Sequence, residues 1–253
     1  MKNLMIKSCV VLLLAGCGTE DDMSPDGETT PTEARGESCS EPVAVSCVDE
    51  MILDLSYQTT VAQTEVTNVR EGQQWITAVD ATAGGFQNAS TNPWIYFKFT
   101  DEGAEKVEIS DEDSLESMEW HLAAHRYKIR LNSGSGGPSC VKASALLEST
   151  YEELTEVPEG LTFYEDTYYN DDCTLIGDSF GMGGAQFYMS NWWDYPGCVA
   201  TTGVPFIIQI EDGRRLRLRV DSYYESGQDE CNENGTMGVG SARLSMRWGF
   251  FYE

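Results

Sequence analysis

The sequence predicts an all-β domain, one unit of mostly antiparallel strands with little helix. Three observations predict it. β-Branched and aromatic runs alternate with a period of two, turn signals recur between them, and no segment sustains an amphipathic helical period over four turns. The domain is assigned to residues 39–253, because the stretch before Cys39 cannot support a core and no second linker interrupts the chain after it.

Residues 1–16 read as a lipoprotein signal peptide. Lys2 and Lys7 precede an apolar run over 9–15 that is too short to span a bilayer as a helix. The run closes on Leu14-Ala15-Gly16-Cys17, with small residues before a cysteine, as a signal peptidase working beside a membrane-embedded thiol requires. Cleavage there makes Cys17 the first residue and the carrier of the acyl chains, palmitate among them, so the protein is anchored to a membrane without crossing it. Gly18 fits sorting to the outer membrane of a bacterial envelope, since Asp at that place is the usual inner-membrane retention cue. Residues 17–38 then form the lipidated cysteine and an acidic, Thr-, Pro- and Gly-rich flexible tether.

Within the domain, residues 93–100 are aromatic and β-branched and residues 120–131 alternate over a long stretch, so each predicts a strand. Residues 206–210 and 214–220 flank Glu211-Asp212-Gly213, which predicts a hairpin with an Asp-Gly turn. Arg243, Ser245 and Arg247 interleave with Leu244, Met246 and Trp248 to predict a closing strand. Helical signal is confined to 143–147 and 149–154, a turn or two each.

The chain carries 16 basic and 42 acidic side chains, a formal net charge of −26, and loss of the signal removes two lysines more. A polyanion of this kind repels nucleic acid, so no nucleic-acid partner is expected. The acidic pairs lack the alternating ligands and central Gly of a calcium loop. Of eight cysteines, Cys9 leaves with the signal and Cys17 takes lipid. Cys39, Cys47, Cys140, Cys173, Cys198 and Cys231 remain, an even set that points to disulfides in an exported chain. The pairing expected is Cys39 with Cys47, Cys173 with Cys198 and Cys140 with Cys231, one of the 15 arrangements that six cysteines allow. Their irregular gaps, without C-x-x-C or a neighbouring His, argue against a zinc site, and no metal is expected.

The order of landmarks carries a resemblance. Pro93-Trp94-Ile95-Tyr96-Phe97 comes first, then the run from Trp120 through His121, Leu122, Ala123, Ala124 and His125 to Gly134. Asp212-Gly213 comes next, with Leu216, Leu218, Val220, Ser222, Tyr223 and Tyr224. From about 92 to 251 the chain resembles the HmuY family of bacterial surface lipoproteins. The resemblance implies an all-β fold, capture of haem or a related tetrapyrrole, and delivery to an outer-membrane receptor. The family's usual Asp after the tryptophan is here His121, its aromatic is Ala124, and no histidine comes after His125, although characterised haem binders draw His or Met ligands from loops nearer the C-terminus. A family relative that has lost haem binding and meets another ligand or partner is therefore the alternative reading.

His121 and His125 are the two histidines. Four residues apart on a strand they lie ~13 Å apart at about 3.3 Å per residue. Two axial nitrogens on one iron sit only ~4 Å apart, so this pair cannot clamp one haem. A thioether can serve instead. Met182, in a Gly-rich stretch, and Met189, before Trp192 and Trp193, are the candidate haem ligands, with His125 as a third. Tyr168, Tyr169, Phe187, Tyr188 and Tyr195 surround them in sequence with the aromatic content a flat ligand wants. The same residues also suit plain core packing, with Met as filler. Arg215, Arg217 and Arg219 line one face of a strand and are candidates to contact an anionic group such as a haem propionate, or to form a solvated face paired with Asp and Glu.

Enzyme signatures are missing. There is no G-x-S-x-G, H-E-x-x-H, Walker or dinucleotide motif, and Gly134-Ser135-Gly136-Gly137-Pro138 reads as a loop. No catalytic residue is assigned and no enzyme is expected.

Overall fold

The computed structural model describes residues 35–88, 90–178 and 184–252. The signal, Cys17 and most of the tether lie outside the described residues, as does Met182. In chain order the elements are α1 (Val48–Asp54), β1 (Val66–Glu71), β2 (Gln74–Asp80), β3 (Ile95–Thr100), β4 (Gly103–Val107), β5 (Leu122–His125) and β6 (Lys128–Leu131). They continue with β7 (Lys142–Ala145), β8 (Trp193–Asp194), β9 (Ala200–Thr201), β10 (Phe206–Gln209), β11 (Arg215–Tyr224), α2 (Asp229–Asn234) and β12 (Ser241–Phe250). The fold is all-β and every strand pairing is antiparallel, as the alternation predicts.

Six strands form one sheet in the order β1-β2-β12-β11-β10-β7, and four form a second in the order β4-β3-β5-β6. The main core lies between them, where Val79, Leu218 and Trp248 of the first sheet meet Phe97, Phe99, Leu122 and Ile129 of the second. A second core covers the opposite face of the four-stranded sheet. There Trp94, Tyr96, Trp120 and Ala123 pack under Met51, Leu55 and Tyr57 from α1 and the turn after it, and under Tyr168 and Phe187. The four-stranded sheet is thus buried on both faces. This is why its central strands β3 and β5 are mostly apolar and buried on both sides.

The Asp-Gly hairpin forms as predicted, with Phe206 opposite Leu218, Gln209 opposite Arg215, and Gly213 at φ 84 in the turn. β12 places Leu244, Met246 and Trp248 inward, again as the alternation predicts.

Three expectations are corrected. Residues 120–131 are not one strand but the tight hairpin β5–β6, in which His125 pairs with Lys128 and Arg126 takes φ 55 at the turn. Arg126-Tyr127 offers none of the usual Gly, Asn or Asp, so the turn is invisible to turn chemistry. A hydrogen bond donated by Arg126 N to Ala81 O (2.7 Å) holds it from outside. Residues 142–145 are not helical but form β7, paired with β10, while the turn at 151–153 is helical and closed by a capping box from Thr150 and Glu153. The disulfides join Cys39 to Cys140, Cys47 to Cys173 and Cys198 to Cys231. Sequence proximity misleads because the N-terminal segment crosses the domain: Cys39 N donates to Glu211 O and Val43 N to Pro138 O, which carries Cys39 to Cys140 and leaves Cys47 beside Cys173.

Candidate functional site

The β5–β6 hairpin tip is one wall of a slot lined by Tyr127, Lys128, Ile129, Phe187, Ser190 and Trp193, with Asp178, Ala185 and Gln186 completing it. The tip is fixed from beneath, where Trp192 Nε1 donates to Tyr127 O at 3.1 Å. The facing wall is a short bridge between Gly177 and Ala185, in which Asp178 N donates to Gly184 O (2.8 Å) and Gly184 N donates to Asp178 Oδ2 (2.9 Å). The cavity is about 20 Å³, room for one water or the end of a ligand group.

Aromatic rings run from the slot into the second core. Tyr127 meets Trp193 at 4.8 Å, Phe187 meets Tyr168 at 4.8 Å and Trp94 at 5.6 Å, and Trp94 stacks on His125 at 5.1 Å. Lys128 Nζ sits 5.7 Å from the centre of the Phe187 ring, within cation–π range. Burial pushes its ammonium below the usual lysine range, and the nearby Arg126 charge adds to this while Asp178 opposes it. Asp178 and Ala185, which lie before and after residues 179–183, thus border the slot, and His125 on β5 is joined to it through Trp94 and Phe187.

The other candidate residues lie elsewhere. Met189 is completely buried in the main core beside Trp192. His121 packs on Phe99 at the opposite end of β5 from His125. Its Nδ1 accepts the Phe99 amide (2.9 Å), which leaves the proton on Nε2, 2.6 Å from Glu211 Oε2. Burial pushes Glu211 up, but the hydrogen bond from His121, together with weaker lowering interactions, outweighs it and holds the carboxyl below its ordinary value. The two histidines thus have separate partners and do not converge.

Arg215, Arg217 and Arg219 do share one face, and the structure shows what covers them. Arg217 Nη1 donates to Tyr151 O (3.3 Å) and Leu154 O (2.5 Å) and stacks on the Tyr151 ring. Arg219 pairs with Asp221 (2.7 Å) and Glu152 (3.0 Å), and Arg215 bonds Gln209 and lies over Phe163.

Sequence reasoning missed Arg130, which is completely buried beneath Tyr57, Trp94, Tyr96 and Trp120, its guanidinium carbon 4.8–5.3 Å from the four rings. It donates to the Tyr57 and Tyr96 hydroxyls and to Ser114 Oγ (2.7 Å). Tyr96 in turn donates to Asp111 Oδ1 (2.9 Å). Burial pushes Arg130 down to about 10, Asp111 up to about 7 and Asp166 up to about 6. A charge between Ile129 and Leu131 in an apolar strand was the one available signal. Among the described residues no group of three His, Cys, Asp or Glu is placed to hold a metal, and no helix is long and apolar enough to cross a membrane.

The described residues form an all-β domain stapled by three disulfides, with a small aromatic slot at a hairpin tip. The family model described as HmuY protein matches residues 90–236, more than half of the chain, and the chain belongs to that family. No curated protein matches it. Among solved structures it is similar to a designated lipoprotein of Bacteroides fragilis, at 14% identity, with 75% of this chain and 97% of that one covered and a TM-score of 0.47. It is also similar to a designated HmuY-like haem-binding protein of Bacteroides vulgatus (17% identity, 76% and 100% covered, TM-score 0.46). A third is the apo HmuY analogue of Tannerella forsythia (14% identity, 75% and 98% covered, TM-score 0.41).

Proposed function

We propose that this chain is a non-enzymatic envelope lipoprotein, anchored through Cys17 in the outer membrane, that binds haem or a related tetrapyrrole for transfer to a membrane receptor. The observation that carries the reading is the shared position of the hairpin tip and the ends of the Met182 segment, with His125 stacked on Trp94 and Phe187 between them. Family membership adds the ligand class. His125 and Met182 are the proposed axial donors; Met189 would have to leave the core to serve. Titration of the protein with haemin should give a saturable one-to-one Soret shift that changes in Met182→Ala and in His125→Ala. No shift in the wild-type protein sinks the reading. Labelling with a tagged palmitate, lost in Cys17→Ala, tests the anchor.

A second reading is favoured by the slot itself. Drug-sized ligands occupy roughly 300–1,000 Å³, and a cavity of about 20 Å³ must widen greatly to admit a tetrapyrrole ring. A HmuY relative that has exchanged haem for a smaller ligand needs less widening of the slot, and a flat Soret titration with binding of smaller aromatics would select it.

A further inference from the structure

We infer that Lys128 is the anion-binding group of the hairpin-tip slot and takes the carboxylate of a flat aromatic ligand whose ring lies against Tyr127 and Phe187. The inference deepens the proposed ligand-binding reading and rests on its choice of site. It starts from an imbalance: with 42 acids for 16 bases, a cation in this chain finds a carboxylate easily. Lys98, Lys106 and Lys142 do so, pairing with Glu105, Glu108 and Glu165 at 3.8, 2.8 and 3.0 Å. Lys128, the fourth lysine of the described residues, has an aromatic ring as its contact instead. Its side chain is half-buried, and the burial disfavours the charged ammonium, a cost that an arriving anion would relieve.

Among the described residues, the surroundings leave room for that anion. Gly184 faces the ammonium, and a Cβ there would stand 3.6 Å from Lys128 Nζ and 3.3 Å from Asp178 Oδ2, narrowing the approach. The cavity accepts a terminal carboxylate in place of one water, and Arg126 on the same turn adds positive potential. Asp178 sets the limit on charge: it favours a single carboxylate over a multiply charged anion such as phosphate.

The test monitors binding by tryptophan fluorescence in the full-length protein. The probes are protoporphyrin IX, its dimethyl ester, 2-naphthoate and methyl 2-naphthoate, measured on the wild type, Lys128→Met, Lys128→Gln and Lys128→Arg. Acids should bind at least roughly tenfold more tightly than their esters, the worth of one charge-assisted hydrogen bond. That preference should vanish in Lys128→Met and Lys128→Gln and survive in Lys128→Arg. Porphyrins that bind with no acid preference would overturn the lysine assignment and leave the tetrapyrrole reading standing. Lysine-dependent binding of naphthoate without porphyrin binding would do the reverse. Failure of every acid to bind overturns the inference.

Discussion

Asn68 and Ala104 exchange two hydrogen bonds across the gap between the sheets, Asn68 Nδ2 donating to Ala104 O at 2.8 Å and Ala104 N donating to Asn68 Oδ1 at 2.9 Å. The carboxamide acts as a peptide group would, so β4 gains from β1 the pairing it would otherwise take from a neighbouring strand. The same Oδ1 accepts Thr77 Oγ1 (2.7 Å), whose oxygen accepts Trp248 Nε1 (2.7 Å), and the line runs from the middle of one sheet to the edge of the other. Asn68→Ala should lower unfolding stability by about 2 kcal/mol through unsatisfied buried groups. Asn68→Asp should cost more, because an anionic oxygen then faces Ala104 O. Urea denaturation checks the order, and equal costs would refute the donor role.

Arg130 predicts a cost that depends on pH. It is the buried cation beside two buried carboxyls, reaching Asp111 through Tyr96 and lowering the proton affinity of Asp166 through space. Arg130→Met keeps volume and removes charge, so Asp111 and Asp166 must carry their ionised forms with less compensation. The loss should be about 3 kcal/mol at pH 8 and smaller at pH 5, where both carboxyls hold protons. Chemical denaturation at the two pH values measures it; a loss that does not change with pH would show that the arginine acts through packing alone.

What was legible in the sequence divides along physical lines. The β10–β11 hairpin was readable because its turn chemistry is local, with Gly213 at φ 84 where the turn needs it. The β5–β6 hairpin was not, since its turn at Arg126 and Tyr127 has no Gly, Asn or Asp and is held in place by a contact to Ala81. Alternation put Arg215, Arg217 and Arg219 correctly on one face, yet Tyr151 and Glu152, which cover Arg217 and Arg219, come from more than sixty positions away along the chain. Arg130 stood in plain view beside Ile129, and only the facing Trp94, Tyr96 and Trp120 show why a strand keeps it.

The disulfides carry a prediction of both connectivity and rank. Peptide mapping without reduction should return Cys39–Cys140, Cys47–Cys173 and Cys198–Cys231. Sequence separations of 101 and 126 close far longer loops than 33, so on chain entropy the first two are each worth about 1 kcal/mol more than the third. The Cys47→Ser, Cys173→Ser double variant should therefore melt below the Cys198→Ser, Cys231→Ser one. The opposite order would show that the second core holds α1 in place without its staple.

The buried carboxyls fix the direction of the domain's pH response. Asp111 is raised to about 7 and Asp166 to about 6 by burial, each against an ordinary value of 3.8. In the unfolded chain both release their protons near pH 4, so between there and neutrality the folded state binds more protons than the unfolded one. Stability is fully present below the unfolded value and is lost as pH rises through about 6 and then about 7. Exposed acids add repulsion in the same direction, but they finish ionising by about pH 5.5. Asp111 accepts Gln58 N, Trp94 N and the Tyr96 hydroxyl, each at 2.9 Å, and an amide cannot accept all three. Asp111→Asn should thus be less stable than wild type at pH 5. The gap should narrow by pH 7.5, because the variant escapes the cost of ionising that site. Guanidinium titrations at pH 5, 6, 7 and 7.5 track the gap directly, and a constant difference would mean that Asp111 does not titrate in this range.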